Sequence, residues 1–223
     1  MRITIHGAAR HEGSCFARLV ARRLLMFPLC IMKIDDFDAQ LVLLLTDGAA
    51  AEELLGRADG QFARRTFIRS AIAVTEGVVW VIKKACLQVA GSEESPRLSV
   101  AECAILADQT YELKNSGEVQ TRPKHLRLAD NVRFTFQICS RFFGADLNVD
   151  PKSAEWNDFH GAVKIRNRIM HPKDLASFDI SDKEMEICTR AVHWFNMRVQ
   201  LFRDRLLAWG DGELCLTTEA KKG

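Results

Sequence analysis

Proline is scarce in this chain, with 5 in 223 residues, which excludes a proline-rich linker architecture. Long apolar runs are missing as well. The best candidate, AIAVTEGVVWVI over 71–82, is broken by Glu76 and Gly77, whereas a membrane span needs roughly 18 apolar residues in a row. A soluble protein without membrane contact is therefore expected. There is no phosphate-cradling glycine loop, no H-E-x-x-H and no G-x-S-x-G, so nucleotide hydrolysis and zinc proteolysis have no basis. The 7 cysteines, at positions 15, 30, 86, 103, 139, 188 and 215, are odd in number and include no C-x-x-C pair. That argues against a zinc site and against a disulfide framework. Buried free thiols in a reducing cytoplasm are the expectation.

What is present is ordinary for a globular chain: 48% hydrophobic and 27% charged residues. The net charge of +2 is unevenly spread. Residues 1–31 carry Arg2, Arg10, Arg18, Arg22 and Arg23 against Glu12 alone, which leaves the remainder slightly acidic. Any attraction to nucleic acid must rest on a local patch, not on the field of the whole molecule. The apolar run LLMFPLCIM (24–32) is short and no small-residue cleavage site follows it, so a targeting peptide is a poor fit. A start of translation at Met32 explains the segment as simply. The composition predicts a poorly packed basic extension over 1–31, one domain over 32–210 and a tail over 211–223.

The body reads as helical. Period-two alternation is confined to RITIH (2–6) and ELCLT (213–217), while helical patterns follow one another from residue 36 onward. Segments 36–57, 61–90, 98–114, 124–143, 152–171 and 181–209 are the predicted helices. Ser99 with Glu102 and Ser181 with Glu184 have capping-box spacing; Gly91, Gly144 and Gly210 supply stops. The fold class expected is all-α, a helical bundle of about five to six helices.

Within the fifth of these helices, residues 166–173 read RNRIMHPK. On a wheel at about 100° per residue with Trp156 at zero, Phe159, Val163 and Met170 fall near 300–340° and Ala162, Ile169 and Ile165 continue to about 180°. Arg166 falls near 280°, in the middle of this apolar arc. A buried guanidinium is costly unless it is paired or reaches solvent. Glu76 is a candidate partner, although it also shares a stripe with Arg65, Arg69 and Lys83 that can be read as a surface ion-pair ladder. His171 lies five positions after Arg166, which on a regular helix turns the two side chains about 140° apart. Pro172 disfavours the α conformation at His171, so the helix should unwind there and free the imidazole. Asn167, one turn earlier, is placed to orient the ring.

The R-N-x-x-x-H-P pattern of Arg166, Asn167, His171 and Pro172, near a helix end in an all-α domain, resembles the HEPN domain superfamily. The surroundings are similar too: an early amphipathic helix with an internal acid, a basic helix before the motif and a capped helix after it. The similarity spans roughly 61–210. It implies a metal-independent endoribonuclease of toxin–antitoxin or abortive-infection type, active as a homodimer with the site at the interface, needing neither metal nor other cofactor. Arg166 and His171 would then be the catalytic pair and Asn167 its polar support, with Glu76 a possible further support. An antitoxin or other regulatory partner is implied as well. One departure matters: some members carry a tyrosine two residues after the histidine for modification by a partner, and here Lys173 stands there. Regulation by that route is not expected.

The chemistry suits these residue types. Histidine, with an ordinary pKa of about 6.5, exchanges protons near neutral pH, and arginine gives paired hydrogen bonds to a phosphoryl group as charge builds. Lys164, Arg168 and Lys173 are read as RNA-binding charge beside the pair or, equally, as a solvated basic face. Arg122, Lys124, His125, Arg127 and Arg133 form a second basic region. His193 is expected in the core or an interface. The alternative function is a non-catalytic helical interaction module of the same fold.

Overall fold

The computed structural model describes residues 34–89 and 98–210, and these belong to one compact unit. The expectations for the basic extension, for RITIH and ELCLT and for the tail fall outside the described residues. Six α-helices are described: α1 (Ile34–Arg57), α2 (Gln61–Val89), α3 (Val100–Leu106), α4 (Leu128–Phe143), α5 (Ala154–Met170) and α6 (Asp182–Gly210). Between α3 and α4 lie two strands, β1 (Gln109–Leu113) and β2 (Val119–Pro123), and a 3-10 turn spans Ala176–Phe178. The all-α bundle is therefore observed, with one small hairpin added. Among the described residues no helix is long and apolar enough to cross a membrane.

α2 is the central element, contacted by α1, α4 and α5, while α5 pairs along α6. The core beside α5 is aromatic. Trp156 and Phe159 stack at 5.3 Å between ring centres, Trp194 meets them at 5.7 and 5.6 Å, and Phe136 stacks on Phe195 at 5.8 Å. Helix approach here depends on Gly161: a Cβ there would sit 2.9 Å from Cγ2 of Ile187. Three of the predicted caps are present, while Gly91 falls outside the described residues. Ser99 and Glu102 close a capping box on α3; Ser181 and Glu184 exchange hydrogen bonds ahead of α6; Gly144 ends α4 in the left-handed conformation.

The predicted helix over 98–114 is a correction. Its cap is real, but the helix stops at Leu106, and the chain turns into an antiparallel hairpin pairing Gln109 with Pro123 through Leu113 with Val119. The turn is built on Gly117, at φ 82°, whose N–H donates to the Lys114 carbonyl at 2.9 Å. Lys114 N–H in turn donates to the Glu118 carbonyl at 2.9 Å. That is the pattern of a three-residue hairpin loop, which needs a left-handed residue at its end and takes glycine for it.

The hairpin is fastened at Asp108. Its backbone has φ 53°, its N–H donates to Ile105 and its carbonyl accepts from Lys124 at 2.7 Å. Its carboxylate pairs with the ammonium of Lys83 on α2, and Lys83 is only 1% exposed. One residue thus joins the end of α3, both strands and the central helix.

The cysteines in the described region are free thiols. Cys86 and Cys139 lie in the core with their sulfurs 3.4 Å apart, and burial pushes the Cys139 thiol well up. Burial likewise pushes Cys188 up to about 12. A thiol that does not ionise is a poor nucleophile, so Cys139 and Cys188 serve packing.

Candidate active site

α5 carries the motif and α2 holds it. Ser153 caps the start of α5, its hydroxyl accepting from the Trp156 N–H at 3.1 Å. Trp156, Phe159, Ala162, Ile165 and Ile169 then form the buried side. The apolar arc expected on the wheel is narrower in one respect. Val163 is half-buried and Met170 is 46% exposed, so over the last turn the buried side consists of Ile165 and Ile169. Arg166 therefore lies at the rim of the packed face, with its side chain 25% exposed.

From that rim the Arg166 guanidinium makes three contacts. Nη2 donates to Glu76 Oε1 at 3.1 Å and Oε2 at 3.4 Å, and Nη1 donates to Asn167 Oδ1 at 3.2 Å. Glu76 is thus the partner of Arg166, and it remains 46% exposed. This is a solvent-open pair, not a sealed ion pair in the core.

The helix ends where the proline predicted. Met170 is its last residue, and His171 takes φ −128° and ψ 62°, outside the helical region. The His171 N–H still donates to the Asn167 carbonyl at 3.0 Å, but the residue is exposed. Among the described residues its imidazole has no hydrogen-bond partner. The orienting bond expected from the Asn167 side chain is not formed, because that amide turns to Arg166.

The rest of α2's polar stripe does not form a ladder. Arg69 Nη2 donates to the Ile169 carbonyl at 3.2 Å, satisfying a carbonyl left open at the end of α5. Arg65 donates to the Phe178 carbonyl at 3.2 Å, and Arg64 and the Gln61 amide both donate to the Ile180 carbonyl at 3.0 Å. α2 therefore clamps the connection that follows His171. The sequence marks Arg65 and Arg69 as stripe charges but does not single out Arg64, and it does not show that the partners are backbone carbonyls, which leave no signature in composition.

Of the three cations read as RNA-facing, Lys164 and Lys173 are exposed. Arg168 is engaged: its Nη2 donates to the Asp179 carbonyl at 2.9 Å and pairs with Glu184 at 3.0 Å. His193 is exposed on α6, which corrects the core half of the core-or-interface expectation and is compatible with the interface half. A cleft of about 430 Å³ lined by Glu102, Phe134, Gln137, Ile138, Ser140, Arg141 and Asn148 includes no motif residue. Among the described residues no group of three or more His, Cys, Asp or Glu is placed to hold a metal ion.

The Arg168–Glu184 contact has a measurable pH signature. Burial works to raise the Glu184 carboxyl, but hydrogen bonds from Ser181 and the nearby Arg168 outweigh it and hold the group below its ordinary value. The Arg203 hydrogen bond does the same for Asp38 against opposing burial. Carboxyls depressed by folding stabilise the protein fully above the usual carboxylate range and lose that contribution as pH falls through their folded values. The urea midpoint is expected to stay level from about pH 7 to 5 and to fall below about pH 4. Glu184→Gln should make that fall shallower; an unchanged acid slope in this variant would place the linkage elsewhere.

No family model, curated protein or solved structure matches this chain. The functional reading rests on the site itself and on the motif's resemblance.

Proposed function

We propose that the chain is a metal-independent endoribonuclease of HEPN type, acting as a cytoplasmic homodimer in a toxin or abortive-infection role. The observation that carries this reading is the end of α5. The helix stops at Met170, two residues before Pro172, and His171 stands exposed at its C-cap. Arg166, about one and a half turns back, is held at the open rim by Glu76 and Asn167. In the reaction the ribose 2′-OH gives its proton to a histidine and attacks the adjacent phosphorus. The P–O5′ bond breaks, the leaving 5′ oxygen takes up a proton, and a 2′,3′-cyclic phosphate remains. His171 supplies the proton transfer, and a second copy of the chain brings a second histidine for the other half of the exchange. Arg166 meets the charge that builds on the phosphoryl oxygens.

A different observation favours the alternative, a non-catalytic interaction module: the charge of Arg166 is already met by Glu76. One assay separates the two. Purified full-length chain incubated with structured and unstructured RNA in EDTA is expected to yield fragments with 5′-OH and 2′,3′-cyclic phosphate ends, and sedimentation is expected to give a dimer. Intact RNA in the presence of a folded dimer would leave the interaction module as the reading.

A further inference from the structure

Polar side chains of α2 at seven-residue spacing meet three different parts of the fold. Arg69 reaches the Ile169 carbonyl, Glu76 reaches Arg166, and Lys83 reaches Asp108 at the root of the hairpin. Residues seven apart return to nearly the same helix face, with about 10 Å of rise per step. The end of α5 and the root of the hairpin are therefore stacked along one side of α2, about 20 Å from the Arg69 level to the Lys83 level.

From that root the chain leaves β2 and enters α4 through RPKHLRLADNVR (122–133), with four Lys and Arg residues against Asp130 alone. Around the hairpin the opposite charges are spent on one another: Arg122 with Glu112 across the strands, and Lys114 with Glu118 at the turn. Lys124, Arg127 and Arg133 are exposed, and none of the three makes a salt bridge among the described residues. Arg127 stands at the N-cap of α4 without a side-chain hydrogen bond to the helix. Lys124 and Arg127 stand ahead of the helix start, where cations oppose its dipole, so the stability of α4 does not call for these two.

We infer that the hairpin and its basic exit form an arm that binds the RNA backbone beside the Arg166–His171 site, with Lys124, Arg127 and Arg133 as its phosphate contacts. This rests on the ribonuclease reading for the identity of the polyanion. The arm gives the enzyme a grip several nucleotides from the point of cleavage, independent of base identity because phosphates carry no sequence.

The test uses the full chain with His171→Ala, so that RNA is not consumed, and a fluorescein-labelled single-stranded RNA read by anisotropy across a salt series. Replacing Lys124, Arg127 and Arg133 together by Gln removes three phosphate contacts. The slope of log K against log salt should shrink by about 2, with affinity at 0.1 M salt falling between about tenfold and a hundredfold. Unchanged slope and affinity in the folded triple variant overturn the arm, whatever the wild-type chain does to RNA. If wild type cleaves no RNA but the triple variant still loses RNA affinity, the arm stands and the ribonuclease reading falls. If RNA is not bound and polyglutamate is bound through the same three residues, the surface serves an acidic protein partner and the inference is wrong.

Discussion

Asp108→Ala is expected to lower the unfolding free energy by about 3–5 kcal/mol, because it leaves the Lys83 ammonium in the core with nothing to meet its charge. Lys83 is 1% exposed, and Asp108 is the partner its ammonium pairs with. A second contribution comes from the backbone. Asp108 sits at φ 53°, a conformation that aspartate and asparagine tolerate and that costs alanine about 1 kcal/mol. Asp108→Asn should therefore be milder, since it keeps both an oxygen acceptor and the left-handed preference. Lys83→Met should be milder still: it fills nearly the same volume with apolar atoms and leaves behind only a carboxylate that is already partly in water. The expected order of loss is Asp108→Ala, then Asp108→Asn, then Lys83→Met, measured by urea unfolding. If Lys83→Met costs as much as Asp108→Ala, the pair itself is the main stabiliser and the unpaired-charge account is wrong.

This junction also explains why the hairpin was hard to read in the sequence. The Ser99–Glu102 capping box starts a helix there, as its spacing predicts, but nothing apolar marks where it stops. QTYEL and VQTRP lack a buried face, so their alternation, with Tyr111, Leu113 and Val119 all exposed, leaves no apolar period to read. The signals that were available are local: Asn115-Ser116-Gly117 as a turn, and an aspartate two residues after Leu106. The long helices were legible for the opposite reason. α2 and α6 each bury a continuous stripe, and the Ser181–Glu184 box stands ahead of α6 at the predicted position. At the site, the proline effect at His171 was legible, and Glu76 as the partner of Arg166 was one of two readings its stripe allowed. The clamp of Arg64, Arg65 and Arg69 on carbonyls was not, since it depends on how α2 and the α5–α6 connection meet in space.

α2 organises both parts of the proposed site, the end of α5 and the root of the hairpin. A single helix face caps α5, sets the guanidinium and anchors the hairpin, so a change in the tilt of α2 would move the motif and the arm together. The exposed positions along the face, Ala73, Glu76 and Trp80, contribute less to the core than the flanking Val78 and Ile82, which are fully buried. Substitutions at Glu76 can therefore report on the site without a general loss of packing.

That separation permits the decisive measurement. His171→Ala is expected to reduce RNA cleavage by about 10²–10⁴-fold, the range for removing a group that transfers a proton in the transition state. Arg166→Ala should cost about 10²–10³-fold through lost charge stabilisation. Arg166→Lys should recover little of this, because a point-like ammonium cannot replace two parallel N–H donors. Glu76→Gln retains an acceptor for Nη2 and should cost no more than about tenfold, the worth of one weakened hydrogen bond. Stability should change little. The Arg166–Glu76 pair is 25% and 46% exposed, and open pairs of this kind contribute less than about 1 kcal/mol, so none of these variants should unfold. A large loss of cleavage at nearly constant unfolding midpoint identifies Arg166 and His171 as the catalytic pair. If Arg166→Ala instead destabilises the fold by more than about 2 kcal/mol while Arg166→Lys restores both stability and activity, the arginine is a structural tie to α2 and the catalytic assignment fails.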